Sequence, residues 1–454
     1  MIVMKFGGSS LADAGRIRHV TEIVKTWLEK RPVLVLSAMG DTTDHLLEAA
    51  DLAYHRGQVS LSGIEELHIQ TIQELKLPPA LQKEIRPLLD ELKTLLTGIS
   101  LIRELTDRTR DYLVSFGERL SVRIFAACLS AQGIPARAFD AWLVGFISDS
   151  SYTAAELIKE SWDLIPQKIL PLLDEGVLPV VTGFIAQDVK GNITTLGRGG
   201  SDLSATMIAA ACKAEEAQVW KDVDGILTAD PRIVKNAKPV EAVTYEEAAE
   251  LAYFGAQVLH PRAMLPCMKT GTPVLVKNSY NSAAPGTRIV PVLGKRSLPV
   301  RAITSRKNIT LVDIVSTRML GQYGFLAEVF SAFARHHISI DMVATSEVSV
   351  SLTLDTVNDL SALKKELSRI ASVELKEGKA IVTIVGNVKR SSEILARAFR
   401  TCELLGVPVQ MVSQGASKVN ISFIVNDTES EEVVRALHID FFESLEIPGM
   451  EEKS

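Results

Sequence analysis

Three stretches of this sequence have the residue types and spacing that chemistry on a phosphate anion requires. In KFGGSS, Lys5, Phe6, Gly7 and Gly8 close a short apolar run, and a glycine turn there lets backbone N–H groups approach an anion while the following helix offers its positive end. The Lys5 ammonium can neutralise charge on transferring phosphoryl oxygens. A GG pair after a strand is, by itself, more often an ordinary tight turn. A second glycine-rich loop, LGRGGSD at 196–202, precedes a helix starting near Ser201, and Arg198 in it is the side chain type that clamps a carboxylate with two hydrogen bonds. Asp202 opens that helix, so capping is its plain alternative role. The third stretch, SFGERLS at 115–121, puts Glu118 at a predicted helix start, either compensating the helix dipole or receiving a substrate ammonium. Two glycine loops at helix starts shift the balance toward an anion site.

The elements that must position these residues are readable from periodicity. IVMKF is a buried strand, residues 11–30 put Ile17, Val20, Val24, Trp27 and Leu28 at helical spacing, and PVLVLS at 32–37 is the next strand. This βαβ order predicts a parallel sheet covered by helices, with ligands beyond the strands' carboxyl ends. Residues 44–133 are mostly helical in pattern. GVLPVVTGF at 176–184 and EAQVWKDV at 216–223 extend the sheet toward residue 280, and a hairpin ending at Thr195 leads into the second glycine loop. No GxxxxGK[ST], GxGxxG or HExxH run occurs, so the phosphate chemistry uses neither a P-loop nor an obvious dinucleotide or zincin motif.

Composition narrows the ligands. The 454 residues suffice for two or three domains, and a net charge of -6 leaves no basic surplus for a nucleic-acid backbone. Small molecules are the expected ligands. Cys128, Cys212, Cys267 and Cys402 are scattered and read as core residues, no apolar run approaches a membrane span, and no signal segment is seen, which together predict a cytoplasmic protein.

A Pro-, Gly- and Ser-rich stretch from Asn278 to Pro299 reads as a linker, and beyond it the pattern changes. Two copies of strand, helix, strand, strand, helix, strand occupy the rest of the chain, near 309–378 and 380–445, each ferredoxin-like in order. HISIDMVATSEVSVSLTLD overlays VPVQMVSQGASKVNISFIVND, pairing Met342 with Met411 and Val343 with Val412. The first copy carries Asp341 and Glu347 where the second has Gln410 and Ala416. Two acids beside a helix N-terminus at Gly324 to Leu326 would suit an amino acid with two ammonium groups, although both acids could equally be solvated loop residues.

KFGGSS, SFGERLS, TTLGRGGSD, WKDVDGILTADPR and FGAQVLHPRA stand in one order, and the set resembles the aspartate kinases of the amino-acid kinase family over nearly the whole chain. The repeats look like that family's tandem ACT regulatory domains, and MLGQYGFLAEVF resembles the lysine-sensitive monofunctional type. The resemblance implies an open, mainly parallel α/β kinase domain over 1–285, a linker at 286–305, and ACT-like domains at 306–380 and 381–454. It also implies ATP and Mg²⁺, L-aspartate as acceptor, 4-phospho-L-aspartate as product at the head of lysine, threonine and methionine synthesis, and a homodimer or homotetramer joined through the ACT domains.

Carried over by residue, the resemblance assigns catalysis to Lys5 and Asp202, and aspartate binding to Ser37, Thr43, Glu118, Arg198 and Ser201. Nucleotide contacts fall to Lys5, Phe6, Gly7, Gly8, Lys221, Asp222, Leu227, Arg232, Gln257 and Val258. Gln257 departs from the commoner lysine, which implies weaker ATP binding or a substitute cation such as Lys221; Leu227 stands where some relatives have tyrosine. The effector site would be lined by Met319, Gln322, Phe325, Leu326, Ile340, Asp341, Ser346 and Glu347. His260 beside Pro261 reads as a capping residue. The competing readings are a glutamate or acetylglutamate kinase of the same family, and a non-catalytic amino-acid sensor.

Overall fold

A computed structural model describes residues 1–253, 259–294, 299–316, 323–355, 359–386, 390–414 and 419–443. Up to residue 290 its strands are β1 (Val3–Phe6), β2 (Val33–Leu36), β3 (Ala136–Phe139), β4 (Ile147–Ser148), β5 (Leu178–Thr182), β6 (Ile185–Asp188), β7 (Ile193–Thr195), β8 (Ala217–Lys221), β9 (Ala242–Thr244), β10 (Val274–Asn278) and β11 (Thr287–Val290). Its helices there are α1 (Ala14–Lys25), α2 (Thr42–Arg56), α3 (Ser62–Glu74), α4 (Gln82–Ile102), α5 (Asp107–Ala131), α6 (Ser161–Asp174), α7 (Gly200–Ala211), α8 (Tyr245–Tyr253) and α9 (Pro261–Thr270). Two compact units emerge, one of Met1–Ile226, Glu241–Tyr245 and Val258–Leu293, the other of Leu227–Val240, Glu246–Gln257 and Gly294–Ser454.

The first unit is built on an eight-stranded sheet in the order β3-β5-β2-β1-β8-β10-β11-β9, parallel throughout except for the β10–β11 pair. The α/β expectation is met. From β1 the chain moves to β2 on one side and later returns at β8 on the other, so the strand order reverses at β1, where such sheets bind ligands. Along β1 side chains alternate: Met4 and Phe6 join the apolar cluster of α1, α4 and α5, while Lys5 points to the face covered by α7. Within the helical stretch 44–133, α4 supplies core through Leu88, Leu92, Leu96 and Ile99. The stretch read as linker contains β11, paired with β10 and β9. All four cysteines are buried and free, and no described helix is long and apolar enough to cross a membrane.

The second unit contains β12 (Val300–Val315), α10 (Phe325–Arg335), β13 (Met342–Thr345), β14 (Ser349–Asp355), α11 (Ser361–Leu367), β15 (Ser372–Gly386), α12 (Ser391–Leu404), β16 (Met411–Ser413), β17 (Asn420–Asn426) and α13 (Ser430–His438). These strands form one six-stranded sheet, β13-β14-β12-β15-β17-β16. The repeats share it. β12 and β15 are long enough to run antiparallel through both copies, with Ile309–Val315 against β14 and Val300–Arg306 against the C-terminal half of β15. Met342 and Met411 each start an edge strand and meet in one apolar cluster, which bears out the overlay of the copies.

Candidate active site

At the carboxyl ends of β1 and β2, a cleft of about 520 Å³ gathers Lys5, Gly8, Ser37, Thr43, Glu118 and the loop Gly197–Asp202. Gly8 is required by space rather than by dihedral angle: a Cβ there would lie 2.8 Å from Gly40 O and 3.0 Å from Ala38 O, so the loops after β1 and β2 touch backbone to backbone. The chain then enters a 3₁₀ turn, Gly8–Leu11, and α1 is capped separately by Asp13, which accepts from the Arg16 N–H. The expected helix dipole behind KFGG is therefore absent from this turn. The second loop does use glycine's freedom, with Gly197 at φ +71° and Gly199 at φ +74°. Gly199 is the N-cap of α7, which has no side-chain cap; its first turn opens onto the cleft.

Asp202 is not a helix cap. Its carboxylate lines the cleft 2.7 Å from Lys5 Nζ and lies 3.3 Å from Lys221 Nζ. Burial pushes the Asp202 carboxyl up, and the two ammonium groups overrule it, holding it below the usual range. Burial also pulls Lys221 below the usual lysine range, against the attraction of Asp202. Ser37 donates to Ser201 Oγ at 3.0 Å, tying the β2 loop to the α7 start. Arg198 is exposed on the wall and has no carboxylate partner among the described residues.

Glu118 sits eleven residues into the 25-residue helix α5, whose start is capped by Thr106, so dipole compensation is excluded for it. It is 3 % exposed. One oxygen accepts from the Ala38 N–H at 3.1 Å, and the other is buried with no partner among the described residues. Burial, opposed by the Ala38 N–H and Lys5, pushes its carboxyl up to about 8. Gly117 makes this approach possible, because a Cβ there would lie 2.7 Å from Ala38 Cβ. The cleft lining thus sets Lys5 and Arg198, with Lys221 beside Asp202, against a single ionised carboxylate at neutral pH, an excess of positive charge suited to anions.

Ala38, Gly40 and Phe184 line the cleft without having been singled out in sequence. Gly117, a glycine inside a helical pattern, was the available signal of close approach. Phe6 is fully buried against Trp220, and Asp222 is exposed beyond β8. Leu227 and Arg232 belong to the second unit, where Leu227 bridges to Pro239 and Arg232 forks onto Asp230. Gln257, Val258, Met319, Gln322 and Ala416 lie outside the described residues. His260 caps α9 through Nδ1, as expected.

In the second unit Asp341 has both oxygens engaged, one by the Tyr253 hydroxyl and the other by Arg306 at 3.4 Å. Burial pushes this carboxyl up, against the pull of Tyr253 and Arg306. Phe325 and Leu326 open α10 behind Gly324, Ile340 precedes β13, and Ser346 and Glu347 form the turn to β14, with Ser346 Oγ 2.6 Å from Ser349 Oγ. Glu347 is exposed.

Residues 1–278 match the model of the amino acid kinase family, and 312–365 with 382–441 match an ACT domain. Aspartokinase 1, chloroplastic, of Arabidopsis thaliana is 51 % identical over 97 % of this chain and 80 % of its own length. Lysine-sensitive aspartokinase 3 of Escherichia coli is 36 % identical over 98 % of this chain and 99 % of its own. Among solved structures, E. coli aspartokinase III in complex with aspartate and ADP superposes with a TM-score of 0.81 at 35 % identity, covering 97 % of this chain and 100 % of that one. The same enzyme in complex with lysine and aspartate gives a TM-score of 0.82 at 35 % identity over 97 % and 99 %.

Proposed function

From the premise that this chain belongs to the amino acid kinase family and, within it, to the aspartokinases, we infer that its cleft transfers the γ-phosphoryl group of ATP to the β-carboxylate of L-aspartate, releasing ADP and 4-phospho-L-aspartate. The observation that carries this reading is the buried, unpartnered oxygen of Glu118 in the same cleft as Arg198, free of any described carboxylate, and the Lys5 ammonium. Glu118 receives the α-ammonium of aspartate, and Arg198 clamps its α-carboxylate. Ser37, Thr43 and Ser201 line the rest of that subsite.

The β-carboxylate is already ionised at neutral pH, so no general base is required. The barrier is the approach of two anions. Lys5, with the backbone of the KFGG turn, faces the phosphoryl oxygens, and Asp202 holds the Lys5 and Lys221 ammonium groups beside one another. Lys221 is the second cation proposed in place of the lysine that Gln257 replaces. Asp222, Leu227, Arg232, Gln257 and Val258 complete the nucleotide assignment. Mg²⁺ carried in on the phosphates would add further charge neutralisation; both oxygens of Asp202 already face ammonium groups, so among the cleft residues it does not serve as a free ligand for the ion.

In the first ACT repeat, Asp341 and Glu347 take the ammonium groups of L-lysine and the N-terminus of α10 takes its carboxylate, with Met319, Gln322, Phe325, Leu326, Ile340 and Ser346 around it. Lysine then inhibits by binding one of two conformations better than the other. Two or four copies associate through the ACT sheets, a state that light scattering would measure. The direct test of the reaction traps the acyl phosphate with hydroxylamine while ADP release is followed for aspartate, glutamate and acetylglutamate. Hydroxamate with aspartate alone is expected; hydroxamate with another acid and none with aspartate would overturn the assignment.

A further inference from the structure

The loop that carries Arg198 is anchored by two charged side chains: Asp111, outside every quoted motif, and Arg262, which stands in FGAQVLHPRA without an assigned role. Asp111 lies on α5, 1 % exposed, outside the cleft lining. Its Oδ1 accepts from the Thr195 hydroxyl at 2.7 Å, and its Oδ2 accepts from the N–H groups of Thr195 and Thr153, both at 2.9 Å. Each of these contacts goes to the two stretches of chain that bracket the loop base. From α9, Arg262 reaches the same place: its guanidinium donates to Leu196 O at 3.0 Å and to Ala155 O at 2.7 Å. The Ala155 N–H donates to Thr195 O at 2.9 Å and stitches the two stretches together.

The loop leaves this clamp without slack. Gly197 comes next at φ +71°, with its α-carbon so close that an added Cβ would lie 3.1 Å from Thr153 O. Thr153 itself is held at φ +68°, a region that a β-branched residue occupies only when its surroundings impose it, and the Asp111 carboxylate accepting its N–H supplies that constraint. Arg198 is the next residue after Gly197. Seven residues beyond Asp111 on the same helix stands Glu118, and an i, i+7 pair projects from one helix face. One rigid element therefore holds the ammonium receiver and, through Asp111, the base of the loop that bears the carboxylate clamp.

We propose that Asp111 and Arg262 are positioning residues for the acceptor amino acid: together they fix the height of the 196–202 loop so that Arg198 stands at the distance from Glu118 that spans an α-amino acid. The proposal rests on the assignment of Arg198 and Glu118 to the two ends of aspartate. Neither positioning residue touches the substrate. Their loss acts on the acceptor side of the cleft and leaves the nucleotide side, built from the KFGG turn and Lys221, where it was.

The test uses the full-length chain and steady-state kinetics with aspartate and ATP varied in turn. Asp111→Asn and Arg262→Met should each raise the aspartate KM by roughly tenfold, as for loss of a hydrogen bond to a charged group, with the ATP KM changed by less than about twofold. Arg262→Lys, which keeps the charge and one donor, should recover part of that loss. Thr195→Val deletes only the hydroxyl donor, and should raise the aspartate KM about threefold; it carries the test if Asp111→Asn does not fold. Because Asp111 acts through Arg198, Asp111→Asn should add less than about twofold in an Arg198→Ala background. Equal rises in both KM values, a fall in kcat at unchanged aspartate KM, or full multiplicativity with Arg198→Ala would overturn the clamp. If Arg198→Ala alone leaves the aspartate KM unchanged, the substrate assignment beneath it fails instead.

Discussion

The two carboxylates proposed to receive amino-acid ammonium groups, Glu118 in the cleft and Asp341 in the ACT sheet, are prepared in opposite ways. Glu118 is buried with an oxygen that nothing in the described protein satisfies. Leaving such a group unpaired costs free energy, and the fold holds it there through the Ala38 N–H and the close pass at Gly117. Asp341 is already complete, with Tyr253 on one oxygen and Arg306 on the other. A substrate entering the cleft satisfies an open acceptor and disturbs little, as preorganised catalysis requires. An effector at Asp341 must displace protein groups, and displaced groups are what convert binding into a change of state. An open acceptor suits a catalytic site and an engaged one suits a switch.

The sharpest way to break the cleft half of this contrast is at Lys5. Lys5→Ala should lower kcat by on the order of a hundredfold or more, since it removes a fixed charge from the transferring phosphoryl group. Single-turnover assays of ADP release would detect a smaller loss, and turnover within a few-fold of wild type would place the charge stabilisation elsewhere.

Glu118 tests the open acceptor itself. In the substrate-free cleft its carboxyl sits at about 8, so below that pH aspartate must displace a proton before its ammonium can pair. The aspartate KM should therefore rise by up to about tenfold per unit as pH falls from 8 toward 6, a dependence that Glu118→Gln abolishes while raising the KM at pH 8.5. The linked effect on folding has a definite sign. A carboxyl raised from 4.5 to about 8 makes the native state bind the extra proton in that window, so stability declines as pH rises through it. Thermal midpoints of wild type and Glu118→Gln should separate between pH 5 and pH 8; parallel curves together with a flat KM would mean that the buried oxygen is not the receiver.

Legibility in the sequence tracks the range of the forces involved. Lys5, Arg198, Ser201 and Asp202 stood in short glycine-marked turns whose chemistry is local, and the structure brings them into one cleft with Ser37, Thr43 and Glu118. The pairing of Met342 with Met411 was visible because strand periodicity repeats. Residues whose role depends on a partner far along the chain were not visible: Asp111 meets Thr195 across 84 positions, and nothing in either segment announces the other. The same limit hid the sharing of β12 and β15 between the repeats, where Val300–Arg306 crosses to pair with the second copy. The glycine of SFGERLS predicts a helix start at Glu118, whereas the cap lies twelve residues earlier at Thr106, and Gly117 marks a close approach inside the helix instead.

The engaged half of the contrast predicts smaller effects of two signs. Glu347→Ala removes an exposed acid from the proposed lysine site without touching the internal partners of Asp341. Inhibition by lysine should weaken by roughly tenfold while uninhibited turnover stays unchanged. Tyr253→Phe does the reverse, because it deletes a hydroxyl that lysine must displace from Asp341. The hydrogen bond is to a charged group, but Tyr253 is 46 % exposed, so water shares its role and the gain is modest: the lysine concentration for half inhibition should fall about threefold. Titrating lysine against both variants separates the models. If Tyr253→Phe weakens inhibition instead, the tyrosine belongs to the inhibited state, and Asp341 accepts lysine beside its existing partners rather than in exchange for one of them.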